Sequence, residues 1–469
     1  MNCRKVVLGT WLFVLSLSLG AAVLCAQDEP PPAPDAPPKP AGYSFPGIGT
    51  GQQEGELQPD LSPLTGMQNP TLGSPEIRHS YWVPGFQFSS NEFSNSGGSG
   101  WTSDNYFIGN LSLVQAWSRA LLAVNYSGGG YVSSDSQQGG GFYQQLALAQ
   151  NYQSERWLIQ FVDQYSHIPQ SSFGFGGGTN LGIPGVGGSL GNTIPGLGGN
   201  YTPNQTIYGT GTFTSNVSAL QATYALSRRS SLTAAVSYGL MRFEQAGNYD
   251  SNTTIASAGY NYQLTRNDTL GLVYRYGSYQ YPGNPQAYSD NTVNVAYGRK
   301  VTGRLGLGLF IGPEFTNFRI PIGGTSQKTG LSASANMTYA FERGAFTVAY
   351  LHGLSAGSGV LLGSKLDSVT ATVSRQLTRQ WTGSLNFGYS HNSPVVGTAA
   401  SGSPTYSDWF AGFTAGRPIG RNFSFSAAYT ATIGSYSGAG CTGAGCNVSN
   451  NYNTITLNFQ WHPRPFTLP

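Results

Sequence analysis

The sequence predicts an all-β fold: a transmembrane antiparallel up-and-down β-barrel. Three observations predict it. Segments in which apolar and polar side chains alternate recur from about residue 79 to residue 461, and a period of two is typical of strands with one apolar and one polar face. Only 9% of the residues are charged and 13% are aromatic, whereas soluble domains contain about 25% charged residues. Tight turns and longer polar loops alternate between the segments, as they do in transmembrane barrels.

The N-terminus is predicted to be a signal peptide comprising residues 1–26. Arg4 and Lys5 precede a long apolar run, and cleavage after Ala26 fits the residues around it. A membrane anchor and a lipoprotein acylated at Cys25 are the alternatives. An exported chain of this kind is expected to act outside the cytoplasm.

Residues 27–78 are predicted to form a Pro/Gly-rich periplasmic tail, disordered and without a packed core. The segment begins with the run EPPPAPDAPPKP, residues 29–40, and such proline-rich runs are extended spacers. Contact with peptidoglycan or with a periplasmic partner is the other interpretation of this tail.

The predicted strands place aliphatic and aromatic residues on one face and Ser, Thr, Asn, Gln or Gly on the other. The last strand, Tyr452–Trp461, shows the pattern without a break, with Ile455, Leu457 and Phe459 on the apolar face and Asn458 on the polar one. The apolar face is expected to contact lipid, and the polar face to line the interior.

Parity sets the number of strands. Seventeen strands can be counted from Tyr106 to Trp461, but bacterial single-chain barrels have even numbers of strands. Residues 80–90 are therefore predicted to be the first strand, paired with the last, although Pro84 cannot donate to a ladder. Eighteen strands is the prediction and sixteen is the alternative.

The predicted loops give the barrel a direction. Tight turns, for example at Ser154, are assigned to the periplasmic side, and longer loops such as 91–104, 168–205, 317–328 and 356–364 to the extracellular side.

The region 79–461 resembles outer-membrane β-barrels of porin type, on this architecture and not on a sharp motif. The resemblance implies a location in the cell outer membrane, contact with its lipid, assembly by the barrel assembly machinery and, as for many porins, a homotrimer. One departure is the C-terminal tail 462–469, which continues beyond the terminal aromatic residue with Pro463 and Pro465.

The polar faces predict the lining of a pore. Residues that alternate with the apolar positions of their strands are expected to point inward. Those assigned to the pore lining are Asn110, Ser112, Asn125, Arg275, Ser334, Asn336, Asn386 and Asn458. This surface is largely neutral and suits water and sugars. Arg275 is interpreted either as a solvated lumen charge or as a residue that shapes selectivity.

The longest loop, 168–205, contains two copies of the pattern Ile-Pro-Gly-x-Gly-Gly and no charged residue. In position and length it resembles the third loop of porins, which folds into the barrel and narrows the pore. The alternative is a surface or partner-binding loop. The candidate constriction residues are Gly185, Gly188, Gly196 and Gly199.

Cys441 and Cys446 remain after removal of the signal peptide and lie in a glycine-rich loop. In an exported chain they are expected to form a disulfide. A metal site would need further ligands, and none of the five histidines has the spacing of one.

The sequence therefore predicts a channel and not an enzyme, with no cofactor and no nucleic-acid partner. The segment Ser390–Ser393, which contains His391, is interpreted as a solvated loop and not as a catalytic group. The predicted function is passive diffusion of small polar solutes. The alternatives are a conduit for glycans in exopolysaccharide export, or a sealed structural or adhesive barrel.

Overall fold

The computed structural model describes residues 80–95, 101–134, 140–168, 212–322, 324–357, 361–395, 405–437 and 449–468. The predicted signal peptide 1–26 and tail 27–78 lie outside these residues. Within the described ranges, no helix is long and apolar enough to cross a membrane.

Long antiparallel strands make up nearly all of the described chain, because alternating apolar and polar residues suit a sheet with two different environments. The strands are β1 (Tyr81–Asn95), β2 (Trp101–Ala116), β3 (Ala120–Ser133), β4 (Gly140–Gln153), β5 (Trp157–Ile168), β6 (Phe213–Ala225), β7 (Ser230–Phe243), β8 (Ser251–Gln263), β9 (Asp268–Gln280), β10 (Ala287–Thr302), β11 (Leu305–Ile322), β12 (Thr325–Phe341), β13 (Gly344–Ser355), β14 (Ser364–Gln376), β15 (Thr382–Pro394), β16 (Thr405–Ile419), β17 (Phe423–Ser437), β18 (Ser449–Trp461) and the short β19 (Phe466–Thr467).

Each of the first eighteen strands pairs with its sequence neighbours, and β18 also pairs with β1, which closes the ring. The closing ladder runs from the pair Phe86–Trp461 to the pair Asn95–Tyr452. The predicted number of eighteen strands and the pairing of the first strand with the last are therefore confirmed, and the alternative of sixteen is wrong.

Pro84 is tolerated because of a gap in this ladder. Pairing of β1 with β18 starts at Phe86, and pairing with β19 involves only Tyr81 and Trp82. Residues 83–85 thus have no strand partner on that side. On the other side Pro84 lies opposite Leu111 of β2. The C-terminal tail folds back after Trp461, and Phe466 stacks on Trp82 with ring centroids 4.7 Å apart.

The two faces of the barrel wall differ as the sequence predicts. Large apolar side chains point outward and are exposed, with Leu457 at 47% and Phe459 at 42% exposure. Inward positions hold buried polar residues such as Gln221, Thr292 and Asn392. An exterior of this kind is stable against hydrocarbon, and every strand finds backbone partners in the closed ring, so the barrel spans the outer membrane.

Two predicted extracellular loops are wrong. β1 extends to Asn95 and β2 begins at Trp101, so most of 91–104 is strand. Likewise β11 extends to Ile322 and β12 begins at Thr325, so 317–328 is a hairpin with a tight turn. Gly324 adopts a positive φ of 81° there, a conformation that glycine enters without steric cost. Polar residues at the end of β1 and at the starts of β2 and β12 made these segments look like loops.

The position of Ile311 tests the lipid-facing assignment. Ile311 points outward and is 44% exposed, and an arginine in its place would contact hydrocarbon. We expect Ile311→Arg to lower the free energy of unfolding in lipid vesicles by about 2–4 kcal/mol. Ser334→Arg, at a similar depth but on the inward face, is the control and should cost much less. Urea unfolding followed by tryptophan fluorescence measures the stability of both variants. Equal losses of stability would contradict the assignment of Ile311 to the lipid-facing side.

Candidate functional site

The inner wall of β1–β3 carries a group of neutral polar side chains. Asn110 Nδ2 donates to Gln87 Oε1 over 3.5 Å, and the Ser127 hydroxyl donates to Asn110 Oδ1. Ser112 lies directly opposite Asn125 in the ladder of β2 and β3. The structure thus brings together three residues that the sequence assigned to the pore lining, Asn110, Ser112 and Asn125.

The other assigned residues lie elsewhere around the ring. Ser334 and Asn336 are on β12, and the Asn336 amide fills the space beside Gly308, where an added Cβ would lie 2.2 Å from Asn336 Oδ1. Asn386 is opposite Thr372 and Gly412. Asn458 is opposite Ser89 and Ser426. The cross-strand partners of Asn336, Asn386 and Asn458 are small or polar, whereas Ser334 lies opposite Phe310 and Leu351.

Arg275, on β9, belongs to a charged group. Its Nη1 atom lies 2.8 Å from Asp290 Oδ2, and its Nη2 atom donates to the Tyr279 hydroxyl over 2.9 Å. The Asp290 side chain is fully buried, whereas Arg275 is 27% exposed. Glu314 lies on β11, one strand beyond Asp290. Arg275 is therefore held by an ion pair and is not the isolated charge that parity alone suggests.

The buried charged residues of the described chain are all acids. They are Asp104, Asp290, Glu314 and Asp408, each at most 3% exposed. All four occupy inward positions, on β2, β10, β11 and β16. Carboxyl groups thus lie on several sides of the inner wall, and Arg275 pairs with that of Asp290.

The connection between β13 and β14 enters the barrel. The Tyr281 hydroxyl donates to the Ala356 carbonyl over 2.9 Å, and the Tyr288 hydroxyl donates to the Ser355 carbonyl over 2.5 Å. Both tyrosines are on the β9–β10 side of the wall, and β11 and β12 lie between β10 and β13. These contacts therefore bring the end of β13 to the inner side of the wall. Ala356 and Leu361 are buried at 1% and 4% exposure.

An aromatic surface receives this connection. Tyr279 and Tyr288 stack with ring centroids 4.6 Å apart, and they form one buried cluster with Tyr281, Phe318, Ala356 and Val395. Gly363 lies against the Tyr288 ring, where an added Cβ would be 2.4 Å from Cε1. Because Tyr279 also binds Arg275, the inward connection and the charged group form one continuous structure on the inner wall.

The sequence predicted a longer polar loop at 356–364. Residues 356–363 do connect β13 to β14, but the described part of this loop contains the buried apolar residues Ala356 and Leu361. The missed signal is Leu361-Leu362, an apolar pair within an otherwise Gly- and Ser-rich connection. Leucine side chains in an extracellular loop require a place to pack, and the inward tyrosines of β9 and β10 provide it.

The candidate constriction residues Gly185, Gly188, Gly196 and Gly199 lie outside the described residues, and so do Cys441 and Cys446. Ile168 and Phe213, the last and first strand residues on either side of the long connection, are described. Both are buried on the inner wall in a cluster with Tyr106 and Tyr143. The inner wall is thus apolar where this connection leaves and re-enters it.

His391 was expected in a solvated loop but lies within β15, where its Nδ1 atom is 2.7 Å from Ser407 Oγ. Its neighbours Ser390 and Asn392 are buried. In the described ranges, no group of three or more His, Cys, Asp and Glu side chains is arranged to hold a metal ion.

Comparisons with known proteins give only distant likenesses. No protein-family model matches the chain, and no curated protein matches it. Among solved structures, OpdQ of Pseudomonas aeruginosa is similar with a TM-score of 0.43 and 10% identity, covering 83% of this chain and 100% of that one. OccAB3 of Acinetobacter baumannii has a TM-score of 0.41 and 8% identity, with 82% and 99% coverage. OprD of P. aeruginosa has a TM-score of 0.39 and 12% identity, with 82% and 94% coverage. Identities of 8–12% do not support the transfer of a substrate or of a residue's role from these proteins to this chain.

A double-mutant cycle tests the buried ion pair. Removing the Arg275 side chain leaves the Asp290 carboxylate buried without its cation, so Arg275→Ala should lower the free energy of unfolding by about 3 kcal/mol. Urea unfolding of Arg275→Ala, Asp290→Ala and the double variant gives the coupling energy. The control is the pair of Arg299 and Asp268, 3.7 Å apart, in which Arg299 is 55% exposed and the coupling should be below about 1 kcal/mol. Equal coupling energies for the two pairs would contradict the buried pair.

Proposed function

We propose that the protein is an outer-membrane channel for the passive diffusion of small polar solutes. The observation that carries the proposal is the polar inner face of a closed ring of eighteen strands, since barrels of 16–18 strands leave an aqueous channel. Neutral groups such as Asn110, Ser112, Asn125, Ser334, Asn336, Asn386 and Asn458 are proposed to line it. They offer hydrogen bonds to hydrated solutes without binding them tightly.

The connection between β13 and β14 is proposed to set the width of the pore. Two tyrosine hydroxyls and a buried apolar cluster hold it against β9–β11, so it reduces the open cross-section. Glycan export is less well supported, because a polymer would have to pass the same obstruction. A sealed barrel is the remaining alternative, and conductance separates it from a channel.

Loss of the two hydroxyls should enlarge or destabilise the constriction. Each hydrogen bond contributes about 0.5–1.5 kcal/mol, so in the double variant Tyr281→Phe/Tyr288→Phe the connection should leave the wall part of the time. Single-channel recording in planar bilayers should then show higher or more variable conductance than in the unmodified protein. Tyr274→Phe is the matched control, because its hydroxyl donates to Asn291 Oδ1 on the outward face, over 2.6 Å. A control variant that changes the conductance as much would contradict the role of the connection.

The buried acids should make the channel prefer cations. Carboxylates along a lumen attract cations, and the effect falls with ionic strength. In a gradient of KCl, the reversal potential should show preference for K⁺, and the triple variant Asp104→Asn/Glu314→Gln/Asp408→Asn should shift it toward chloride. Asp367→Asn, a change of an acid on the outward face of β14, should leave it unaltered. Preference of the unmodified channel for chloride would contradict this prediction.

A further inference from the structure

A carboxylate lies on the lipid-facing side of the barrel. Asp163 on β5 shares its parity with the outward residues Trp157 and Phe161, and it lies opposite Ser218 of β6. Asn216 Nδ2 donates to Asp163 Oδ1 over 3.2 Å, and the Ser218 hydroxyl donates to Asp163 Oδ2. We call Asp163, Asn216 and Ser218 the outer polar cluster.

The depth of the outer polar cluster is unusual. Asp163 is six residues from the tight-turn end of β5, and Ser218 is seven residues from that of β6. At the same depth the outward positions of the other sixteen ring strands hold aliphatic, aromatic or glycine residues. Examples are Tyr126 on β3, Leu146 on β4 and Val236 on β7. The cluster therefore interrupts the apolar belt itself and does not mark its edge.

Lipid acyl chains cannot donate hydrogen bonds to the Asp163 carboxylate. A carboxylate has about four acceptor positions, and hydrogen bonds from Asn216 and Ser218 fill two of them. A charged residue within the hydrocarbon region costs about 2–4 kcal/mol at the midplane of a barrel, somewhat less for Asp than for Lys or Arg. Protein donors at the same depth would offset this cost.

The surface beside the cluster allows another barrel to approach closely. Ala222 of β6, Ala234 of β7 and Ala258 of β8 form one outward cross-strand row. Small residues let membrane-embedded surfaces come into contact, and polar groups then bind across the interface. A row of small side chains beside a polar cluster is suited to contact with protein.

We propose that the outer surface of β5–β8 is the interface of a homodimer with two-fold symmetry. A two-fold axis along the membrane normal keeps each residue at the same depth in both copies. It places β5 of one copy against β6 of the second, and β4 against β7. Asp163 of one copy then lies across from the region of Ser218 and Tyr238 in the other. A phenolic hydroxyl there can donate to the open acceptor positions of the carboxylate, and the same contact is made twice.

Cysteine pairing between two copies tests the geometry. Two versions of the full chain with different tags, Asp163→Cys in one and Ser218→Cys in the other, are produced together with Cys441 and Cys446 replaced by serine. Mild oxidation in the membrane should link the two tags. Tyr274→Cys with Val295→Cys, outward positions at the same depth on β9 and β10, is the matched control and should give several-fold less linked product.

Mass measurement tests the assembly independently. In native mass spectrometry from detergent, the unmodified protein should have twice the mass of one chain, and Asp163→Leu/Asn216→Leu/Ser218→Leu should have the mass of a single chain. That variant should keep its single-channel conductance and its heat-modifiable migration on gels, which shows that the barrel is intact.

A monomeric unmodified protein, with or without bound lipid, would overturn the proposal. So would a trimer, the assembly that the resemblance to porins suggests, because it requires the cluster to meet a different surface. These readouts do not depend on conductance, so the proposed channel function can fail or hold separately.

Discussion

Hydrocarbon offers no hydrogen-bond partner, so every backbone amide and carbonyl in the belt must be paired within the protein. The chain meets this constraint by closing β18 onto β1. The alternation of side chains follows from it, since a closed sheet has one face toward lipid and one toward the interior. The apolar exterior and the polar wall both depend on this single seam. Pro84 also fits at this seam, because residues 83–85 of β1 have no strand partner on the side of β18 and β19.

The strands and their order could be predicted from the sequence because period-two alternation is a local signal. Ile455, Leu457 and Phe459 reveal the outward face of β18 without any knowledge of the rest of the chain. Parity then supplied the first strand, which local signals alone left doubtful because of Pro84. Strand ends were less predictable, since residues 325–328 are all polar, as they would be in a loop, and Pro321 near the end of β11 is unusual in a strand.

The organisation of the interior could not be read in the same way. Inward parity identifies Arg275 as facing the lumen, but the partner Asp290 lies on the next strand, and its proximity depends on register. The contact between Tyr288 and the end of β13 joins residues 67 positions apart. No periodic pattern encodes such a contact. Only the apolar pair Leu361-Leu362 hints that this connection packs inside. The same holds for Asp163, whose unusual position emerges only when all the strands are aligned by depth.

The seam between β1 and β18 also governs the order of events when the chain is made. It joins the two ends of the ring, so it forms only after the last strand has been delivered, and contacts of such long sequence separation are slow to form. Until then the growing sheet has two open edges, and open edges pair readily with other chains. The fold-back of Phe466 and Thr467 onto Tyr81 and Trp82 completes the same joint from the final residues. A chain interrupted before Ser449 would therefore remain an open sheet, however well its first seventeen strands had paired.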